Sequence, residues 1–178
     1  ALTINGSALN YKVFGTSSIM FGDTTTGTID GANYNTGVGV DVFASLTTGD
    51  NNTAVGYASL TANTTGANNV AVGHTASANN TTGTGNVSIG QNNFEANTTG
   101  SNNVAVGLNT LGSNTTADNN VAVGKSALVL NTTGDSNVAL GSSALSSNTT
   151  ARANIGIGNS ALGNNTTGAN NVAIGHVA

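Results

Sequence analysis

The chain has 178 residues, a formal charge of −4, 25 Gly, no Pro, no Cys and no Trp, with 6% charged and 4% aromatic residues. An ordinary globular domain carries about a quarter charged residues, and a disordered segment is rich in charge and Pro, so this composition fits neither. The acidic balance leaves no basic patch for phosphates and hence no nucleic-acid partner, and no apolar run reaches the roughly 20 residues of a membrane helix, so no direct membrane insertion is expected.

Residues 1–34 come first and are irregular. They still keep a beat of 17: Ala8-Leu9 is in frame with Ala127-Leu128, and Gly15 with Gly66. They read as degenerate N-terminal rows and a candidate cap. The start at Ala1, without Met, reads as an excerpt of a longer polypeptide. From residue 35 to 178 the beat is strict. A phrase of the form NTTGANNVAVG occurs seven times from Asn63 onward, and its last Gly recurs every 17 residues from Gly22 to Gly175 without insertion. A repeat this short cannot bury a core alone, so its copies must stack.

Each row offers the same elements in order. N-V-A-V-G alternates large and small with a period of two, which predicts a strand. S-A-L (126–128, 143–145, 160–162) follows a Gly-containing bend and predicts a second short strand. N-T-T-G is rich in turn formers. Gly, Asn and Thr depress helix propensity throughout, and the absence of Pro suits rows that are all central. The expectation is an all-β fold. It is one continuous parallel β-solenoid with 17 residues per coil and about ten stacked coils, the strands about 4.8 Å apart.

Residues 17 apart form columns. Val70/Val87/Val104/Val121, Val72/Ile89/Val106/Val123 and Leu111/Leu128/Leu145/Leu162 are expected to form the buried spine, Val72 to Val123 as one buried column. Phe21, in frame with Val72, and Phe43 and Phe94, in frame with Leu128, read as core too. Asn52, Asn69, Asn86, Asn103, Asn120, Asn137, Asn154 and Asn171, with Asn35 before them, are expected to form a structural ladder of stacked amides. The column from Val40 through Tyr57 and His74 to His176 varies freely and reads as solvent-exposed, as does the Asp50/Ser101/Asp118/Asp135/Arg152 column. The middle residue of V-A-V stays small from Gly37 to Ala173. Either it lies inside a narrow coil while the Val columns face a partner, or the Val columns fill the coil and the small column touches another chain. Both arrangements imply self-association.

Candidate chemistry is sparse. His74 and His176 lie six rows apart, roughly 29 Å at the strand spacing, and cannot share a site. Stacked Asp118 and Asp135 offer oxygens to Ca²⁺, though solvated acids are the plainer reading. GVGV (37–40) and GIGNSALG (156–163) mimic phosphate loops but have no helix after them. N-T-T matches the glycosylation pattern at Asn63, Asn80, Asn97, Asn114, Asn131, Asn148 and Asn165, where the turn itself calls for Asn. Tyr11, Phe14, Tyr34 and Tyr57 crowd the first third, as a receptor or glycan contact or as an end cap. No catalytic set, cofactor or metal is expected, and the chain reads as a non-enzyme.

The N-x-V-A-I-G rows resemble the head repeats of YadA-like trimeric autotransporter adhesins, and AL-x-x-NTTG-x-NNVAVG is similar to repeats of phage tail fibres. The likeness covers residues 35–178 closely and 1–34 loosely. It implies a left-handed β-roll, assembled as a homotrimer on a cell or virion surface and used for attachment to a host-cell receptor or glycan. The period here is longer than that of the usual head repeat. Two alternatives stand beside it: an ice-binding solenoid presenting Thr arrays, or a self-assembling extracellular filament subunit. A β-helix acyltransferase is disfavoured, because its repeats run in sixes and no His sits in a predicted cleft.

Overall fold

The structure is a computed structural model. It describes residues 31–178 together with 3–4, 7–8, 11–15 and 17–22, with backbone alone for 3, 4, 7, 8 and 11. The described residues hold no helix. Strands β1 (Thr3–Ile4) and β2 (Ser7–Ala8) form an antiparallel pair. β3 (Tyr11–Phe14), β4 (Ser18–Gly22), β5 (Thr36–Gly39) and β6 (Thr53–Val55) begin an eleven-stranded sheet. The sheet continues through β7 to β13: Val70–Val72, Val87–Ile89, Val104–Val106, Val121–Val123, Val138–Leu140, Ile155–Ile157 and Val172–Ile174.

From β4 onward every pairing is parallel and joins residues 17 apart, as in Val104↔Val121 and Val106↔Val123. The fold is therefore a β-solenoid with 17 residues per turn, the class expected from the sequence. The first rows differ. β3 runs antiparallel to β4, with Tyr11 opposite Phe21. Gly15 (φ +54°) and Ser17 (φ +57°) in the connecting loop take left-handed backbone, which lets the chain reverse within three residues. Ala8 and Gly15 are in frame in sequence but lie in hairpins, not coils; Leu9 is outside the described residues.

One strand per row is formed, not two. The S-A-L segment is a turn in which every second residue is left-handed, as at Ser126 (φ +58°) and Leu128 (φ +51°). Its amides serve two different rows: Ser126 N–H donates to Leu108 O in the row before, and Leu128 N–H to Ala144 O in the row after. Left-handed backbone costs a non-Gly residue roughly 1–2 kcal/mol. Complete burial of Leu60, Leu111, Leu128 and Leu145, and of Phe43 and Phe94 in the same column, offsets it.

The two Val columns are not the spine. Alternation along each three-residue strand places Ala54, Ala71, Ala105, Ala122 and Ala139 inside, fully buried, while the residues on either side are half-buried or exposed. Ile89 is 40% exposed and Val123 39%. Val72, Ile89, Val106 and Val123 do stack, row on row, but on the outer surface. The reason is space. Inside the coil, the small column meets the Leu and Phe side chains of the turn. A Cβ added to Gly37 would come within 3.0 Å of both Met20 Cγ and Val42 Cγ1 and within 3.2 Å of the Phe43 ring. No room remains for a branched residue. Of the two arrangements left open above, the structure is the one with small residues inside. Phe21 moves out with its column and is half-buried, whereas Phe43 and Phe94 are core.

Candidate functional surface

Two polar ladders run through the interior. In the first, Asn103 Oδ1 accepts the backbone N–H of Asn120 at 2.9 Å and its Nδ2–H at 3.2 Å, while Asn103 Nδ2 donates to Ala117 O at 2.8 Å. The backbone bond repeats with Asn35, Asn52, Asn69, Asn86, Asn120, Asn137 and Asn154 as acceptors. Ser18 Oγ takes the place of the Asn oxygen at the base of the stack and accepts Asn35 N–H at 2.9 Å. All these Asn are buried except Asn171 in the last row, which is half-buried.

The second ladder was not foreseen. Asn63, Asn80, Asn97, Asn114, Asn131 and Asn148 are also buried. Each Nδ2 donates to the carbonyl three residues on, as Asn97 to Gly100 O at 3.0 Å, and from Asn80 onward also to the Asn oxygen of the preceding row. The structural reading of N-T-T holds at these six positions, where the nitrogen that would carry a glycan is enclosed and bonded. Among the described residues no buried side-chain nitrogen or oxygen lacks a partner.

The acidic column is tied down as well. Asp50, Asp118 and Asp135 each accept, through Oδ1, the backbone N–H of the residue 17 before: Asn33 at 2.7 Å, Ser101 at 2.6 Å and Asp118 at 2.8 Å. Ser101 Oγ serves Thr84 N–H in the same way. These side chains close a corner of the coil, and among the described residues no group of three or more His, Asp or Glu converges on one point. No cavity or cleft is found there either. GVGV and GIGNSALG supply interior glycines, Gly37 against Met20 and Gly156 against Leu145.

The aromatic candidates separate. Phe14 is buried, at 6% exposure, which removes it as a receptor contact. Tyr34 and Tyr57 are exposed at 57% and 49%. They stand at opposite ends of the strands, Tyr34 before β5 and Tyr57 after β6, and Tyr57 stacks on His74 with ring centroids 5.2 Å apart. The side chain of Tyr11 is outside the described residues.

One extended surface feature of the described residues is the outer face of the sheet. From Ile19/Phe21 to Val172/Ile174 it presents two side chains per row, all apolar except Thr36 and Thr53, and none charged. Nine strand steps of about 4.8 Å make it about 43 Å long, and two columns of side chains make it about 10 Å wide, or roughly 430 Å². A patch of that size falls in the range, about 300–600 Å², of the largest on a typical monomer, which is often a contact site. A second regular feature lies on another side of the coil. Thr65, Thr82, Thr99, Thr116, Thr133 and Thr150 form an exposed file, while their neighbours Thr64, Thr81, Thr98, Thr115, Thr132 and Thr149 are half-buried and donate Oγ1–H to the carbonyl of the next row.

No helix among the described residues is long and apolar enough to cross a membrane. In comparisons with known proteins, no family model, no curated protein and no solved structure matches the chain.

Proposed function

We propose that the chain is a structural and adhesive segment of a fibre on a cell or virion surface, and that it works as a homo-oligomer. One observation carries this reading: the uncharged, apolar outer face that runs the length of the solenoid. Burying it removes apolar area from water, at about 25 cal/mol per Å², and nothing else among the described residues covers it. A partner for such a face must be as long and as regular as the face itself, and another copy of the chain meets both requirements. The internal ladders fit a load-bearing rod, because each row is bonded to the next through backbone and side chains alike. The resemblance to trimeric adhesin heads and tail fibres supports three chains, an extracellular or virion-surface location, and attachment to a host receptor or glycan.

Light scattering on the purified chain is expected to give a multiple of 17.3 kDa, three-fold by the resemblance. A folded, stable monomer would overturn the reading.

The exposed Thr file supports a second reading, an ice-binding surface. Only one of the two adjacent Thr columns is free, so the file is a line and not a sheet of hydroxyls. Clear thermal hysteresis in an ice-growth assay would put this reading first.

A further inference from the structure

The interior of the solenoid is not uniform along its length. Its bulkiest column supplies one left-handed turn residue per row from Phe43 to Leu162, and it is Phe or Leu in every row but one, where it is Ser77. The small column behind the strands changes at the same level: Ser88 stands where the rows from Gly37 to Ala173 otherwise carry Ala or Gly. Ser77, Ser88 and the adjoining Asn93 are buried, at 2%, 0% and 0% exposure. The buried apolar side chains accordingly divide into two clusters, one from Phe14 to Ala76 and the other from Phe94 to Leu145. We infer that the coil between these clusters is a built-in weak joint, and that the solenoid is two cooperative blocks which part there before either block unfolds.

Each row of a stacked array is held by its neighbours alone, so the contact that buries least apolar surface opens first. Hydrogen bonding continues across the joint. Asn97 Nδ2 donates to Asn80 Oδ1 at 2.7 Å, Asn103 N–H to Asn86 Oδ1 at 2.9 Å, and Ser77 N–H to Asn93 O at 3.0 Å. What is missing is cohesion from apolar burial. Ser77 also holds left-handed backbone (φ +52°) without the buried Leu or Phe that offsets its cost in other rows. The polar replacements bond to one another and to the backbone: Ser88 Oγ donates to Asn93 Oδ1 at 3.0 Å, and Asn93 Nδ2 to Gly107 O at 2.7 Å. Such a seam keeps the rows in register but adds little against separation, because its groups bond to water equally well once the joint opens. In the fibre proposed above, this is the row at which the rod yields while both blocks stay folded.

Native-state hydrogen exchange on the unaltered chain reads the joint row by row. Across it, Ser77 N–H donates to Asn93 O and Asn92 N–H to His74 O; within the C-terminal block, Leu128 N–H donates to Ala144 O and Ser143 N–H to Lys125 O. Protection at Ser77 and Asn92 is expected to be at least about tenfold lower than at Leu128 and Ser143. In a uniform stack exchange begins at the ends and central rows are protected best, so equal or higher protection at Ser77 and Asn92 would overturn the inference. Ser77→Leu tests the cause, and is expected to raise protection at Asn92 by at least about tenfold. Unchanged or lower protection there, or a chain that fails to fold, would show that Phe94 already fills the space and would overturn it too. The outer face runs past every row alike, so a monomer and an oligomer give the same pattern. The outcome is therefore separate from that of the mass measurement above.

Discussion

Replacing Gly90 with Ala is expected to unfold the rows around it, at a cost of at least about 4 kcal/mol, in the range reserved for severe single-site lesions. Gly90 has φ +137°, a conformation that L-residues rarely adopt, and an added Cβ would lie 2.1 Å from Gly107 O and 2.7 Å from its carbonyl carbon. The clash is with backbone in the next row, not with a side chain that can swing away. The row spacing is fixed by ladder bonds on both sides, so local relaxation cannot relieve it. The same conflict recurs along the column: a Cβ added to Gly73 would lie 2.2 Å from Gly90 O, and one added to Gly56 2.3 Å from Gly73 O. This is why the Gly closing each V-A-V never varies from Gly22 to Gly175. Gly112→Ala is the control. A Cβ there meets chiefly the Asn109 side-chain oxygen, at 2.7 Å, and the same column already holds Glu95 and Val129. Its change should stay within about 1 kcal/mol of zero. Equal losses for the two variants in thermal or urea unfolding would contradict the stacking assigned to the Gly column.

The second large effect is expected at Asn103. Truncation to Ala leaves the Asn120 N–H and Nδ2–H without the oxygen to which both donate inside the coil, and takes one of two donors from the Ala117 carbonyl, which keeps Asn114 Nδ2. An orphaned buried group costs about 1–3 kcal/mol, so the sum is about 2–6 kcal/mol, lost from a ladder in which each row is held by the next. Gln91→Ala, on the exposed variable column, should change stability by no more than about 0.5 kcal/mol. Similar midpoint shifts for the two variants would show that the amide ladder contributes little.

The period, the parallel register and the burial of Leu128, Phe43 and Phe94 were legible in the sequence, because a strict 17-residue beat leaves stacking as the only way to build a core. What the sequence did not disclose was direction. V-A-V states that two residues face one way and one the other, and hydrophobicity alone puts Val inside. The decision rests on the width of the coil, set by turn geometry: with Leu128-type side chains entering at left-handed backbone, the interior admits Ala but not Val. That turn was hidden as well, since Leu has no preference for positive φ and S-A-L reads as extended chain. Phe21 was misplaced for the same reason, having inherited the direction of its column. The second Asn ladder left a signal in the constancy of Asn63 through Asn165, but a turn former explained that constancy equally well. Leu46, in frame with Asn63 and fully buried, marks where the ladder begins and shows that the column points inward. The N-terminal hairpin was masked by two coincidences of frame, at Ala8-Leu9 and Gly15.

Inside and outside meet at a single peptide bond, between Ala105 and Val106. Ala105 is fully buried in the coil, and Val106 lies on the outer face. The most direct measurement is the scattering mass and circular dichroism of Ala105→Asp and Val106→Asp, each compared with the unaltered chain. Ala105→Asp puts an unpaired charge among packed side chains and is expected to lose the fold. Val106→Asp is expected to keep the β spectrum while the mass falls toward 17.3 kDa, since the charge then obstructs only the contact between copies. A Val106→Asp chain that unfolds, beside an Ala105→Asp chain that stays folded, would contradict the account.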